Sequence, residues 1–103
     1  MKYIVIDFEM NPLGREHTAE KEICGDEIIQ IGAVVLDEKY TEISSFTTPV
    51  KPQLNSRIER RIEKLTGIKT QMVDKAPYFR EALEMFFLWC DSLQDKLQVI
   101  QWS

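Results

Sequence analysis

An almost continuous apolar stretch at residues 27–37, EIIQIGAVVLD, limits how this chain can fold more than any other feature. A run rich in β-branched residues is typical of a strand that is buried on both faces. Residues 41–49 alternate between polar and apolar, and only the turn at 37–40 separates them from the first run. The two segments are therefore predicted to form an antiparallel hairpin. Gly32 inside the run predicts a bulge or a close backbone approach.

Two more strands are predicted near the ends of the chain. Residues 3–7, YIVID, and 97–102, LQVIQW, are rich in β-branched and aromatic residues. With two helices in the second half, the element order is β-β-β-α-α-β. A right-handed helical crossover makes the last strand parallel to the first. The predicted class is α/β with a mixed sheet in the order 3-2-1-4.

The first helix is predicted over residues 57–65. Asn55 or Ser56 can cap its start, and Gly67 ends it. Its apolar face would consist of Ile58, Ile62 and Leu65. Residues 69–76 are predicted to form a loop.

The second helix is predicted to begin with Pro77 in its first turn. Apolar residues then recur at spacings of four and three, as on one face of a helix. They are Phe79, Leu83, Phe86, Cys90 and Leu93. Phe87, Leu88 and Trp89 widen this stripe, so burial on more than one side is expected.

Length and composition exclude several classes of protein. A chain of 103 residues allows one domain. No apolar run approaches the ~20 residues of a membrane helix, and the four apolar residues before Asp7 are too few for a signal peptide. A cytoplasmic protein is expected, without membrane contact. Cys24 and Cys90 are therefore expected to be reduced, and a single histidine, His17, argues against a zinc site.

Charge is distributed unevenly along the chain. The formal net charge is −4, yet residues 51–80 contain eight basic and three acidic side chains. Four of these cations recur at helical spacing, opposite the apolar face of the first helix. They are Arg57, Arg60, Arg61 and Lys64. Such a face is either a solvated surface or a set of phosphate contacts.

Asp7 and Glu9 are the residues most suggestive of chemistry. Side chains at i and i+2 of a strand point to the same face, so two carboxylates lie side by side at the carboxyl end of the first strand. Their mutual repulsion is relieved by a cation between them. Oxygen ligands select hard ions such as Mg²⁺ or Mn²⁺, and two such ions can promote phosphodiester hydrolysis. An acidic strand end reaching solvent is the alternative explanation.

Four strings extend this pattern: YIVIDFEMN, DEIIQIGAVVLD, FTTPVKP and KLTGI. In this order and spacing they resemble the start of a DEDDh-type 3′–5′ exonuclease domain. The nearest subgroup comprises relatives of the sporulation inhibitor KapD and of the histone-mRNA 3′ exonuclease. The resemblance covers the chain except residues 12–25 and implies a ribonuclease H-like fold.

The resemblance also implies roles for individual residues. Asp7 and Glu9 match catalytic ligands of a two-metal site for Mg²⁺ or Mn²⁺, with Glu9 also near the terminal 3′-hydroxyl. Met10 and Asn11 match positions that contact the terminal nucleotide, and Leu65 and Thr66 match positions that flank its base. For Leu65 the alternative is a core contact at the helix end, and for Met10 it is loop packing. The implied substrate is the 3′ end of single-stranded nucleic acid, with RNA favoured over DNA.

The family also requires two more aspartates and a histidine that acts as general base. Asp91, Asp95 and His17 lie in the wrong places for these roles. The chain is therefore expected to be the N-terminal part of a single exonuclease domain, residues 1–103, truncated before the C-terminal elements. Alone it is expected to be inactive, and to self-associate through exposed sheet surface or to unfold at moderate temperature. The alternatives are a non-catalytic nucleic-acid-binding or assembly module and a small α/β domain without a nucleic-acid role.

Overall fold

A computed structural model of the chain describes residues 2–13, 25–93 and 97–102. It contains four strands and three helices. The strands are β1 (Lys2–Pro12), β2 (Asp26–Leu36), β3 (Glu42–Pro49) and β4 (Leu97–Trp102). The helices are α1 (Arg60–Thr66), α2 (Thr70–Asp74) and α3 (Phe79–Ser92). No helix among these residues is long and apolar enough to cross a bilayer.

The strands form one sheet in the order β3-β2-β1-β4, which confirms the predicted topology. β1 pairs antiparallel with β2, so that Val5 lies opposite Val34. β2 pairs antiparallel with β3, and β4 runs parallel to β1. The parallel pair follows from the intervening helices, which carry the chain back to the starting edge.

The hairpin turn is built by an aspartate. The Oδ1 atom of Asp37 accepts hydrogen bonds from the backbone N–H groups of Lys39 and Thr41, at 2.8 and 3.0 Å. Tyr40 takes a left-handed conformation with φ of 64°. These bonds mimic a backbone turn, and they fix the register of β2 against β3.

The predicted bulge at Gly32 is wrong. Gly32 pairs regularly with Asp7 on one side and with Thr47 on the other. The register instead shifts between Val35 and Leu36, and again beside Glu9, where Ile29 is skipped in the pairing.

α3 covers one face of the sheet, which we call the covered face. Alternate residues of β1 and β2 point to it, including Ile4, Ile31 and Val35, each at most 1% exposed. Ala82 and Phe86 of α3 pack against them. The Phe86 ring meets the neighbouring aromatic rings at centroid distances of 5.8–6.0 Å. Burial of these apolar side chains holds α3 to the sheet.

A second, smaller core lies under α1 and α2. Ile29 of β2 is fully buried among Ile58, Ile68 and Val73, with Ile62 at the margin. The bulge beside Glu9 accounts for this position, because the extra residue turns Ile29 away from the covered face.

The first two helices differ from the prediction. α1 begins at Arg60 after Glu59, and no side chain caps it. Asn55 instead donates a 2.9 Å hydrogen bond to the carbonyl oxygen of Pro12, so its predicted capping role is wrong. Gly67 ends α1 as predicted, in the left-handed conformation with φ of 76°. The predicted loop at 69–76 contains the short helix α2.

The third helix begins two residues later than predicted and is buried on one side only. Pro77 precedes α3, and its carbonyl oxygen accepts a 2.7 Å hydrogen bond from the N–H of Lys51. Phe87 and Leu88 are 56% and 69% exposed, so the predicted burial on several sides is wrong. Cys90 is a free thiol that is partly rather than fully buried. Cys24 and His17 lie outside the described residues.

Candidate metal and nucleic-acid site

Asp7 and Glu9 lie side by side on the sheet face opposite α3, which we call the open face. Their even-numbered neighbours Ile4, Ile6 and Phe8 pack in the core of the covered face, so strand alternation sends both carboxylates the other way. Asp7 is exposed and Glu9 is partly buried. β1 continues to Pro12, so the pair lies within the strand and not, as predicted, at its end.

The open face forms a shallow depression around Asp7. Val5, Val34, Ser45 and Thr47 line it together with Gly32. Gly32 is the direct partner of Asp7 on β2, and a Cβ placed on it would lie 3.7 Å from the Asp7 carbonyl oxygen. The missing side chain leaves space beside the Asp7 carboxylate.

The donor set fits a hard cation but is small. Carboxylate oxygens suit Mg²⁺ and Mn²⁺, which bind through one or two protein carboxylates and otherwise retain water or substrate oxygens. Within residues 2–13, 25–93 and 97–102, no three His, Cys, Asp or Glu side chains are grouped so that they could hold a metal ion. Asp7 and Glu9 are therefore two possible ligands without a third beside them in the described structure.

Asn11 is buried, although it was expected to contact a nucleotide. Its side chain has 0% exposure. The Nδ2 group donates to the carbonyl oxygen of Arg57 at 3.0 Å, and Oδ1 accepts from the N–H of Glu59 at 2.8 Å. The side chain thus ties the segment before α1 to β1, and it has no surface to offer a ligand. The structure therefore supports a positioning role for Asn11.

Met10 is 42% exposed and pairs with Ile28 of β2. Alternation places its side chain on the side away from Glu9, where it lines a groove with Val50 and Phe79. The predicted side-chain contact with a sugar or base would therefore need to reach around the strand, whereas the backbone of Met10 stays next to Glu9.

Leu65 is exposed at the last turn of α1. Its exposure of 79% excludes the alternative of a core contact in this structure. Thr66 follows it, and its hydroxyl donates to the carbonyl oxygen of Ile62 at 2.8 Å and accepts from the N–H of Ile68 at 3.1 Å. Thr66 thus fixes the end of the helix that presents Leu65.

All four cations of the basic run are exposed, but they do not share one helix face. Arg57 precedes α1 and lies in the segment held by Asn11. The Nε atom of Arg61 pairs with the Glu59 carboxylate at 3.1 Å. The predicted single face is therefore wrong, because the helix begins three residues later than its start was predicted.

Glu27 is a structural residue that the sequence analysis did not identify. Its carboxylate accepts hydrogen bonds from the backbone N–H groups of Gln53, Leu54 and Asn55, at 3.2, 3.2 and 2.7 Å. Three donors on one carboxylate hold the loop after β3 against β2. No local sequence signal could reveal this contact, because the partners are 26–28 residues away.

Comparison with known proteins identifies the family. The profile of the RNase T exonuclease family matches residues 4–98. ERI1 exoribonuclease 2 of Danio rerio is 35% identical over 98 residues, which are 94% of this chain and 17% of the relative. The 3′–5′ exonuclease eri1 of Schizosaccharomyces pombe is 38% identical over 80 residues, 72% of this chain and 26% of the relative. The chain thus spans about a quarter or less of these two relatives.

Solved structures agree on the fold. The nuclease domain of 3′hExo, a DEDDh family member bound to rAMP, superposes with a TM-score of 0.80 at 24% identity. The match covers 97% of this chain and 50% of that domain. Cell-death related nuclease 4 gives a TM-score of 0.78 at 23% identity, over 97% of this chain and 34% of its own. The chain has the ribonuclease H-like fold of these enzymes and belongs to the exonuclease family, among the DEDDh 3′–5′ exonucleases.

Proposed function

We propose that residues 1–103 form the N-terminal part of a single exonuclease domain that removes nucleotides from the 3′ end of single-stranded nucleic acid in the cytoplasm. The observation that carries this proposal is the placement of Asp7 and Glu9 side by side on the open face of the sheet. A purely structural strand has no need for adjacent carboxylates on a face that packs against nothing.

In this proposal Asp7 and Glu9 hold Mg²⁺ or Mn²⁺. The bound ions would supply an activated water and stabilise the leaving oxygen of the phosphodiester. The chain's own contribution is to fix the two carboxylates on a rigid strand, with Glu9 near the terminal 3′-hydroxyl. Leu65, exposed beside Thr66, would contact the terminal base through an apolar surface.

RNA is the proposed substrate rather than DNA. Support comes from the relatives: one is named an exoribonuclease, and two solved neighbours contain rAMP or a histone mRNA stem-loop. A matched pair of oligonucleotides, one ribo and one deoxyribo, tests the choice in the complete domain. Equal rates on the two would contradict it.

Metal binding tests the proposal directly. Calorimetric titration with Mn²⁺ should show binding to the parent chain that is lost in Asp7→Asn/Glu9→Gln. Glu81→Gln/Glu84→Gln removes the same charge from α3 and should bind Mn²⁺ like the parent. Equal binding by the site variant and the control would show that the carboxylate pair is not a metal site.

A second candidate is a non-catalytic nucleic-acid-binding or assembly module. It is favoured by the two-ligand donor set of the described residues and by the open face, whose apolar part could mediate self-association. Incubation with a labelled oligonucleotide and Mn²⁺, combined with size measurement, separates the two. We expect no shortening by the 103-residue chain alone. Stepwise shortening abolished by Asp7→Ala would instead show that the chain already has a working site.

A further inference from the structure

We propose that a groove between the segment before α1 and the start of α2 binds the sugar–phosphate backbone of a single strand, at nucleotides that precede the 3′-terminal one. This inference rests on the proposed function, because it assumes a nucleic-acid substrate. We call this feature the basic groove. Its charged and polar lining includes Arg57, Arg60, Lys69, Glu59, Glu63 and Thr70.

The groove offers cations that are available to a ligand. Arg57, Arg60 and Lys69 are all exposed, and none of them forms an ion pair with another described residue. Of the two carboxylates in the lining, Glu59 is engaged by Arg61 at 3.1 Å. The unpaired arginines can therefore form bidentate contacts with phosphate oxygens.

The groove is built on fixed backbone. The N–H of Ile58 donates to the Thr70 hydroxyl at 3.1 Å, which joins the two walls. Ile58 itself is 4% exposed, anchored in the small core with Ile29. A rigid floor lowers the entropy cost of ordering the arginines around a ligand.

Asn11 connects the groove to the carboxylate pair. It follows Glu9 by two residues on the same strand, so its side chain points to the same face as Asp7 and Glu9. Through its bonds to Arg57 and Glu59 it holds one wall of the groove. A strand whose 3′ end lies at the carboxylates can therefore continue along the groove without crossing the sheet.

The lining indicates which part of the nucleic acid is recognised. None of its residues is aromatic, so bases have no stacking surface there. Cations with mobile side chains instead favour phosphates, which are common to every sequence. Binding should therefore be independent of sequence and strongly dependent on salt.

Fluorescence anisotropy with labelled single-stranded oligonucleotides, in EDTA so that no metal contributes, tests this proposal. Arg57→Gln/Arg60→Gln should weaken binding of a ten-nucleotide strand by on the order of tenfold. The slope of log affinity against log salt should become shallower by about 0.7 for each cation removed. Lys39→Gln/Arg80→Gln changes the net charge equally outside the groove and should retain the parent's slope. Circular dichroism verifies that all variants are folded.

Two further measurements distinguish failure of this inference from failure of the proposed function. Asp7→Asn/Glu9→Gln should bind the strand in EDTA at least as well as the parent, and the groove variant should still bind Mn²⁺. A groove variant that matches the control in both affinity and salt slope would overturn the basic groove, whatever the Mn²⁺ titration shows. Absence of strand binding by the parent chain would overturn it as well.

Discussion

The two faces of the sheet use the same strands for different purposes. On the covered face, residues such as Ile4 and Val35 are buried against α3. On the open face, their immediate neighbours Val5 and Val34 border a depression that contains Asp7. One residue along a strand thus separates a side chain that stabilises the fold from one that is available for chemistry.

This difference explains how a small domain can carry an exposed carboxylate pair. Repulsion between Asp7 and Glu9 acts on a strand that is already held by hydrogen bonds to β2 and β4 and by the core behind it. The covered face therefore supplies the rigidity, and substitutions on the open face should change binding more than folding. The predictions below run from the largest expected effect on stability to the smallest.

Asn11→Ala should break the comparison most severely, because Asn11 belongs to the open face by alternation yet is fully buried. The substitution leaves the carbonyl of Arg57 and the N–H of Glu59 without their partner, at a cost of about 3 kcal/mol. Asn55→Ala also removes a side-chain bond to backbone, but at a partly exposed site where water can replace it, and should cost about 1 kcal/mol. Urea denaturation measures both. Equal losses would mean that burial of Asn11 is not what makes it important.

Val35→Ala and Val34→Ala test the two faces with one residue type at adjacent positions. Val35 is 0% exposed, so its loss removes two buried methyl groups and leaves a cavity, for about 2 kcal/mol. Val34 is only partly buried on the open face and should cost less than about 1 kcal/mol. Midpoints of urea unfolding give the comparison. A larger loss at Val34 would indicate that something covers the open face in solution.

The sequence predicted the sheet better than it predicted the helices, for a physical reason. Strand order followed from a short hairpin turn and from the handedness of a crossover, both of which are local or general constraints. The alternation that puts Asp7 and Glu9 on one face is equally local. Phe87 and Leu88 misled the prediction because an apolar residue shows only that it can be buried, not that a partner lies on that side.

Parts of the candidate site depended on contacts between distant residues. Asn55 has a typical capping side chain, but its amide group bonds to Pro12, 43 residues away. Asn11 likewise bonds to Arg57 across 46 residues. No local pattern encodes such partners, so the positioning role of Asn11 and the shape of the basic groove emerged only from the fold.

Cys90 tests the edge of the covered face through its chemistry. Burial raises the pKa of its thiol, and the nearby Asp91 carboxylate acts in the same direction. The reactive thiolate is therefore scarcer at neutral pH than in an unfolded chain, and labelling should accelerate as pH rises. In Cys24→Ser, a thiol-reactive dye at pH 7.5 should label native Cys90 severalfold more slowly than the urea-unfolded protein. Equal rates would place Cys90 outside the packed side of α3.

Leu65→Ala should have the smallest effect on folding. With 79% of its surface exposed, Leu65 has little burial to lose, so the free energy of unfolding should change by less than about 0.5 kcal/mol. Ile62→Ala, one turn earlier on α1 and packed at the margin of the small core, should cost more, about 2 kcal/mol. If Leu65 flanks the terminal base, its truncation should nevertheless weaken binding of a short strand with a free 3′ end, measured with Mn²⁺ present. Loss of stability without loss of binding would show that Leu65 belongs to the fold and not to the site.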